Sequence, residues 1–329
     1  MSRSAMFTIL RRILLVCGLG CAQSLRGDQP KNIPVVAITT FAEHRAVDSV
    51  RRGIEDVLFE FGYEEKKTVS IRYLCAQGSS ATAAQIAKMI ALERPKVIVP
   101  ISTTSAQSVA AATRTVPIVF ASVTDPVGAR VIKNWDASGT NVTGVSDLVF
   151  MEEQIRFMRK LLPNMKSVGF IYNPGETNSV AALRELTLLL ARENVSVLTA
   201  PVQVSADIPL AVRSLRDRVD LVFTPTDNTI GSAYESLARA ADECKVPAVT
   251  ADPELVRRGA SASLGVSYYD LGRQAGMMVV KVLSGTSPGD IAPEVSGKAK
   301  LFLNRKAARL QGLQLPEDLV KSADYVFGK

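Results

Sequence analysis

The chain has 329 residues, of which 47% are hydrophobic and 22% charged, with a formal net charge of +7 at pH 7. That length exceeds what one core needs and fits two lobes of ordinary domain size. Arg3, Arg11 and Arg12 carry three of the positive charges, leaving +4, and the other Lys and Arg alternate with Asp and Glu along helices, which argues for a solvated surface and against a nucleic-acid partner.

The three N-terminal arginines precede an apolar run from Ile13 to Leu19, and the small-residue stretch Gly18-Leu19-Gly20-Cys21-Ala22 overlaps its end. Residues 1–24 are expected to be an export signal with a short tail. The run is too short to span a bilayer, as is every other apolar stretch. The product is therefore expected to be exported, either free in the periplasm or anchored as a lipoprotein through Cys21.

From there the pattern alternates between strands and helices. Strands are expected at Pro34–Thr40, Thr68–Leu74, Lys96–Pro100, Pro117–Ser122 and Asn141–Val145, with amphipathic helices between them. A helix over Met151–Leu161 leads to strands at Ser167–Tyr172, Val195–Ala200, Leu221–Thr224, Pro247–Thr250 and Ser263–Val266. A helix over Tyr269–Leu283, a loop over Ser284–Pro293 and a strand over Ala299–Leu303 close the series. The expected architecture is α/β, with two similar Rossmann-like lobes built on parallel sheets: residues 33–147 plus 268–290 form one lobe, and 148–267 plus 291–329 the other. The chain crosses repeatedly between them, which would make a hinge.

The two lobes echo each other in sequence. VIVPISTTSAQS followed by TVPIVF, from Val97, returns as LVFTPTDNTIGS followed by KVPAVT, from Leu221. Each copy reads as an apolar strand, a hydroxyl-rich turn, a helix and a second strand opened by Val-Pro. In open parallel sheets ligands lie beyond the carboxyl ends of the strands, so the turns ISTTS and TPTDN should face each other across a cleft.

Candidate site residues follow from that rule. Ser102, Thr103, Thr104 and Ser105 place four hydroxyls at a helix N-terminus, which suits a carboxylate, although hydroxyl caps also begin ordinary helices. Glu176, Asn178 and Ser179 follow one strand of the second lobe, and Asp227 and Asn228 another. Glu176 or Asp227 could pair with a ligand ammonium, with Asp227 or Asn228 as a plain helix cap the alternative. Asp125 and Asp252 are further strand-end acids, each in an Asp-Pro turn signal. His44, the chain's one histidine, follows the first strand. Phe41, Tyr172, Tyr268 and Tyr269 lie near strand ends, where rings could stack on a flat ligand.

Several chemistries find no support. One histidine excludes multi-histidine zinc sites, and G-x-S-x-G, P-loop and G-x-G-x-x-G turns are missing. Neither a metal nor a cofactor is expected. Cys75 and Cys244 fall in different lobes and are expected to be buried free thiols.

The segments AEHRAVD, FASVTDPVGA, NVTGVSDL, YNPGETNS, PTDNTIGSA and GVSYYDLGRQAG, taken in order, resemble the tryptophan-type substrate-binding proteins of ABC importers. That resemblance implies a type I periplasmic-binding-protein fold, closure of two lobes on an amino acid, chiefly tryptophan, tyrosine or phenylalanine, and a membrane permease and ATPase as partners of a monomer. It would place Ser102 to Ser105 and Asp125 on the first lobe's side of the cleft, and Glu176, Asn178, Ser179, Asp227 and Asn228 on the other. The chain departs from the family in having Ser102-Thr103-Thr104 where many relatives carry a Thr-Pro pair, and Arg45 where Pro often follows the histidine. The expected function is capture of a solute without turnover. The alternatives are an exported enzyme using Asp125, Glu176 and Asp227 as acid and base, and a sensor subunit for a membrane receptor.

Overall fold

The computed structural model describes residues 33–328; the expected export segment and Cys21 lie outside the described residues. The chain begins with β1 (Val35–Thr40), α1 (Arg45–Glu60), β2 (Ser70–Cys75), α2 (Ser80–Glu93), β3 (Val97–Ile101), α3 (Thr103–Ala112), β4 (Ile118–Ala121) and β5 (Val142–Ser146). After α4 (Met151–Leu161) come β6 (Ser167–Tyr172), α5 (Thr177–Ala191), β7 (Ser196–Pro201), α6 (Ile208–Ser214), β8 (Leu221–Thr224), α7 (Asn228–Ser232), α8 (Tyr234–Cys244), β9 (Ala248–Thr250) and β10 (Ala262–Gly265). The last elements are α9 (Tyr268–Leu283), β11 (Glu294–Val295), β12 (Lys300–Asn304), α10 (Arg305–Leu310), α11 (Glu317–Ser322) and β13 (Tyr325–Phe327).

The strands form two sheets, ordered β11-β5-β4-β3-β1-β2 and β13-β12-β10-β9-β8-β6-β7. Among the described residues only the β10–β12 pairing is antiparallel. Stripped of the late strands, each sheet has the same order, with its second strand outermost, then the first, third, fourth and fifth. The sequence echo is therefore a topological repeat: β3-α3-β4 and β8-α7-α8-β9 occupy equivalent places. The second copy's helix is broken at Ala233 (φ −133°, ψ 37°), where the sequence pattern predicts one continuous helix.

All-apolar strands are what a sheet covered on both faces requires. Val36 and Ile38 of β1 face a core shared with α1 and α9, and Ala37 between them faces the core under α2 and α3. In the second sheet Val222 of β8 faces α6 and α8, and Leu221 and Phe223 face α4 and α5. Each lobe is thus a helix–sheet–helix sandwich with two apolar layers.

Two helices are exchanged between the lobes. α4 follows the first sheet but buries Ile155, Met158 and Leu161 against the second. α9 follows the second sheet but buries Leu271, Ala275 and Val279 against the first. The chain leaves the first sheet later than the expected boundary at residue 290, because β11 pairs in parallel with β5 and Ile291 sits in the first sheet's core. α10, α11 and β13 were not expected from the sequence: the two helices are a turn and a half long, and β13 has only three residues.

α9 reaches its place by closest approach to α1. A Cβ on Gly272 would lie 2.1 Å from the Val50 carbonyl oxygen, and one on Gly53 would lie 2.3 Å from that of Tyr269. Neither backbone can yield without separating the helices, and forced overpacking of this kind costs about 1–3 kcal/mol or more. Gly272→Ala should therefore lower the thermal midpoint by about 5 °C or more. Gly297→Ala, where an added Cβ meets nothing within 4 Å, should leave it unchanged; differential scanning calorimetry of the two variants checks this.

Candidate functional site

The carboxyl ends of both sheets face one cavity. It is lined from the first lobe by His44 after β1, Ala46 and Val47 of α1, Ser102 and Thr103 after β3, Ser122 and Thr124 after β4, and Asp147 after β5. The second lobe contributes Asn178 after β6, Thr226, Asp227 and Asn228 after β8, and Asp252 after β9. Tyr268, at the start of α9, completes the wall. Ser102 (φ 80°) and Ser122 (φ 55°) are held in the left-handed region at the ends of adjacent strands. Such strain costs about 1–3 kcal/mol per residue and collects at functional sites.

The lobes touch around this cavity. His44 Nε2 lies 3.3 Å from Asn228 Oδ1, and the imidazole ring packs against Gly231 of α7. The hydroxyls of Thr124 and Thr226 are 3.0 Å apart, and Ser49 donates to Glu254 across the cleft at 3.4 Å. The free space between them is about 20 Å³, room for about one water molecule.

Eight residues expected at the site do line the cavity: His44, Ser102, Thr103, Asn178, Asp227, Asn228, Asp252 and Tyr268. Eight do not. Phe41 is buried in the core under α2 and α3. Tyr172 packs on Phe170 with ring centroids 5.4 Å apart. Thr104 and Ser105 are buried within the first turn of α3. Asp125 accepts from the Gly128 amide at 2.8 Å, as an Asp-Pro turn acid does. Ser179 donates to Asp227 at 2.7 Å behind the cavity wall. Tyr269, named for its ring, bonds Asp56 outside the cleft.

Glu176 is the most instructive displacement. Its two oxygens accept from the amides of Asn228 and Thr229, the Asn228 side chain and the Thr229 hydroxyl, all at 2.6–2.9 Å. It is therefore the internal anchor of the α7 N-terminus, with both oxygens engaged. Asp227 caps the same helix through Ile230 and also accepts from the Asn173 amide and Ser179. Burial, and then the charge of Glu176, push the Asp227 carboxyl well above the usual range. The helix-cap reading holds for Asp227, and the ammonium reading fits neither acid.

The acids left open to the cavity are Asp147 and Asp252. Asp147, 4% exposed, accepts from Ser122 through Oδ2 at 2.9 Å, while Oδ1 has no protein partner. Burial raises its pKa, and the Ser122 bond only partly offsets that. Asp252, also 4% exposed, caps the 3₁₀ turn over Pro253–Arg258 through Oδ1, and burial lifts it to about 7. Three further polar atoms of the lining have no protein partner: His44 Nδ1, Ser102 Oγ and Asn178 Oδ1. Burial lowers the His44 pKa, which favours the neutral ring. Buried polar groups are ordinarily paired, so four such atoms around one cavity describe a seat for a polar ligand.

Ser122, Thr124, Asp147 and Thr226 are not selected as site residues from sequence, although the strand-end rule applied to β5 as to the other strands would have found Asp147. Cys75 and Cys244 are both free thiols, but Cys75 is only half-buried, at the open end of β2.

The sequence and the fold have close counterparts. The sequence profile described as "ABC transporter substrate binding protein" matches residues 22–327. The chain belongs to this family. It is 31% identical over 287 residues, 87% of this chain and 83% of the other, to a tyrosine-binding protein of Clostridioides difficile. A Streptococcus pneumonia ABC domain crystallised in complex with L-Trp superposes with a TM-score of 0.85, at 31% identity over 90% of this chain and 100% of that one. The ligand-free, open structure of CD0873, a substrate binding protein with adhesive properties from Clostridium difficile, gives 0.67, at 30% identity and the same coverage. This substrate-binding protein of an ABC transporter has the type I periplasmic binding fold, and no helix among its described residues is long and apolar enough to cross a membrane.

The Asp252 carboxyl ties the site to stability. It titrates near 7 in the fold and near 4 when unfolded, so its contribution is complete below about pH 4 and is lost as pH rises through 7. The charges acting on it are those of Glu254, Arg258 and Asp147. Ligand-free Asp252→Asn, which keeps the acceptor for the Glu254 amide, should therefore unfold several degrees above the wild type at pH 8 and level with it at pH 4, as read by thermal scans at the two pH values.

Proposed function

We propose that this protein is the exported receptor of an ABC importer and captures an amino acid, with aromatic amino acids the preferred class, by closing its lobes. The observation that carries the reading is the interlobe cavity with four unpartnered buried polar atoms, acceptors and donors together, as a zwitterion requires. The likeness to a tyrosine-binding protein and to an L-Trp complex supports the ligand class. The ligand carboxylate would lie at the α3 N-terminus, where Ser102 and Thr103 face the cavity and Ser102 Oγ is free to donate. Ala46, Val47 and the Tyr268 ring supply the apolar part of the wall.

Closure is the working motion. At nearly equal identity the chain superposes better on the L-Trp complex than on the open, ligand-free structure, and its lobes meet directly across the cleft. A cavity with room for one water admits an amino acid only after the lobes part. A ligand then favours closure to the extent that it binds the closed form more tightly than the open one.

The reading is of binding without turnover, with a permease and an ATPase as partners of a monomer, and with Cys21 as the lipid anchor if the protein is membrane-bound. The acids considered for catalysis are engaged elsewhere, Glu176 and Asp227 with α7 and Asp125 in its turn. Thermal unfolding of refolded, ligand-free protein against the twenty amino acids tests the reading, since a ligand present at 100 times its Kd adds about 2.7 kcal/mol. A rise confined to tryptophan, tyrosine or phenylalanine is expected; no rise with any amino acid would overturn it.

A further inference from the structure

Asp147 and Asp252 come from opposite lobes, at the ends of β5 and β9, and line the same cavity. Each is 4% exposed, and Asp147 Oδ1 has no protein partner. No Lys or Arg lines the cavity. Arg258, near enough to influence Asp252, is committed to Glu235 and to the carbonyls of Gly231 and Ser232. The Asp147 charge is felt at Asp252, and Tyr268 lies in the field of both. Two buried carboxyls that line one interlobe cavity, with no Lys or Arg in its wall, make the closed, empty form costly.

We infer that Asp147 and Asp252 clamp the ligand's primary ammonium between the lobes, so that this one cation is the bridge that holds the receptor closed. The inference rests on the amino-acid reading and sharpens it. An ammonium has three donors; Asp147 Oδ1 and Asn178 Oδ1 are free to accept two of them, and Asp252 engages the Glu254 amide through Oδ1, which leaves Oδ2 for the third. The neighbouring Ser122 holds Asp147 through its other oxygen, which fixes the free one toward the cavity. Glu176 and Asp227, the acids that sequence reasoning favoured, have no part in the clamp.

Small-angle scattering of the ligand-free protein, titrated with ligands lacking one charged end, tests the clamp. Tryptamine and tyramine keep the ammonium; indole-3-propionate and 3-(4-hydroxyphenyl)propionate keep the carboxylate. The amines should reduce the radius of gyration, and the acids should not at equal concentration. Asp147→Asn and Asp252→Asn should each weaken the response to the amines and the affinity for the amino acid by at least tenfold. Both variants keep the acceptor of their internal bond, and a thermal midpoint at or above the wild type's shows that they are folded. Acids that close the protein as well as the amines do, or Asn variants that respond like the wild type, would overturn the clamp. If the wild type binds amino acids but the Asn variants bind them equally well, the clamp fails and the receptor reading stands; if only the amines bind, the clamp stands and the amino-acid reading fails.

Discussion

A carboxylate held out of water without a cation is among the more costly arrangements a folded protein can keep, and two of the buried acids lining this cavity, Asp147 and Asp252, are each bonded through one oxygen alone. The rest of the site is organised around that imbalance. Its walls are hydroxyls and amides rather than cations. Its closest tight contacts, His44 to Asn228 and Thr124 to Thr226, are neutral hydrogen bonds that can be broken at little cost when the lobes part. A group that costs stability in the empty protein becomes favourable once a cation is present, and in this way a binding site converts ligand charge into a change of shape.

The fold supplies the geometry. Two sheets with one strand order, each with apolar residues on both faces, put five strand ends per lobe on a common surface. The exchange of α4 and α9 then ties the lobes through a few chain crossings and leaves the cleft between them free to open. The Gly53–Gly272 approach keeps α9 on the lobe it does not follow in sequence. Within the second lobe, Glu176 and Asp227 together satisfy the amides that begin α7, so the turn that presents Asn228 to His44 is held rigid by buried carboxylates rather than by a ligand.

Much of this was legible in the sequence for a simple reason. The β-branched runs of β1, β3, β6 and β8 cannot be read as amphipathic helices, and the Val97 and Leu221 segments repeat, so strand positions and the two-lobe plan follow from local pattern. α4 and β6 fall where the pattern puts them. The site was only half legible. His44, Ser102, Asp227 and Asp252 sit directly after strands, and strand ends are visible in sequence. Glu176 sits in the same kind of turn, yet its side chain points to the N-terminus of a helix that begins 52 residues later, a contact that no local pattern encodes. Asp147 was passed over because SDL has no turn signal and no neighbouring acid, although its strand end is as exposed to the cleft as the others. The break between α7 and α8 is likewise invisible, since NTIGSAYES carries no proline and its one glycine lies within α7.

The account depends most on buried carboxylates that wait for a cation, and calorimetric titration measures this directly. Binding an amino acid at pH 6.5, in buffers of different ionisation enthalpy, reports the protons exchanged. With Asp252 titrating near 7 and Asp147 raised, the empty cavity holds part of a proton that an incoming ammonium must displace. The account predicts release of a substantial fraction of one proton per ligand, diminished in Asp252→Asn. Binding without proton release, or with proton uptake, would contradict it.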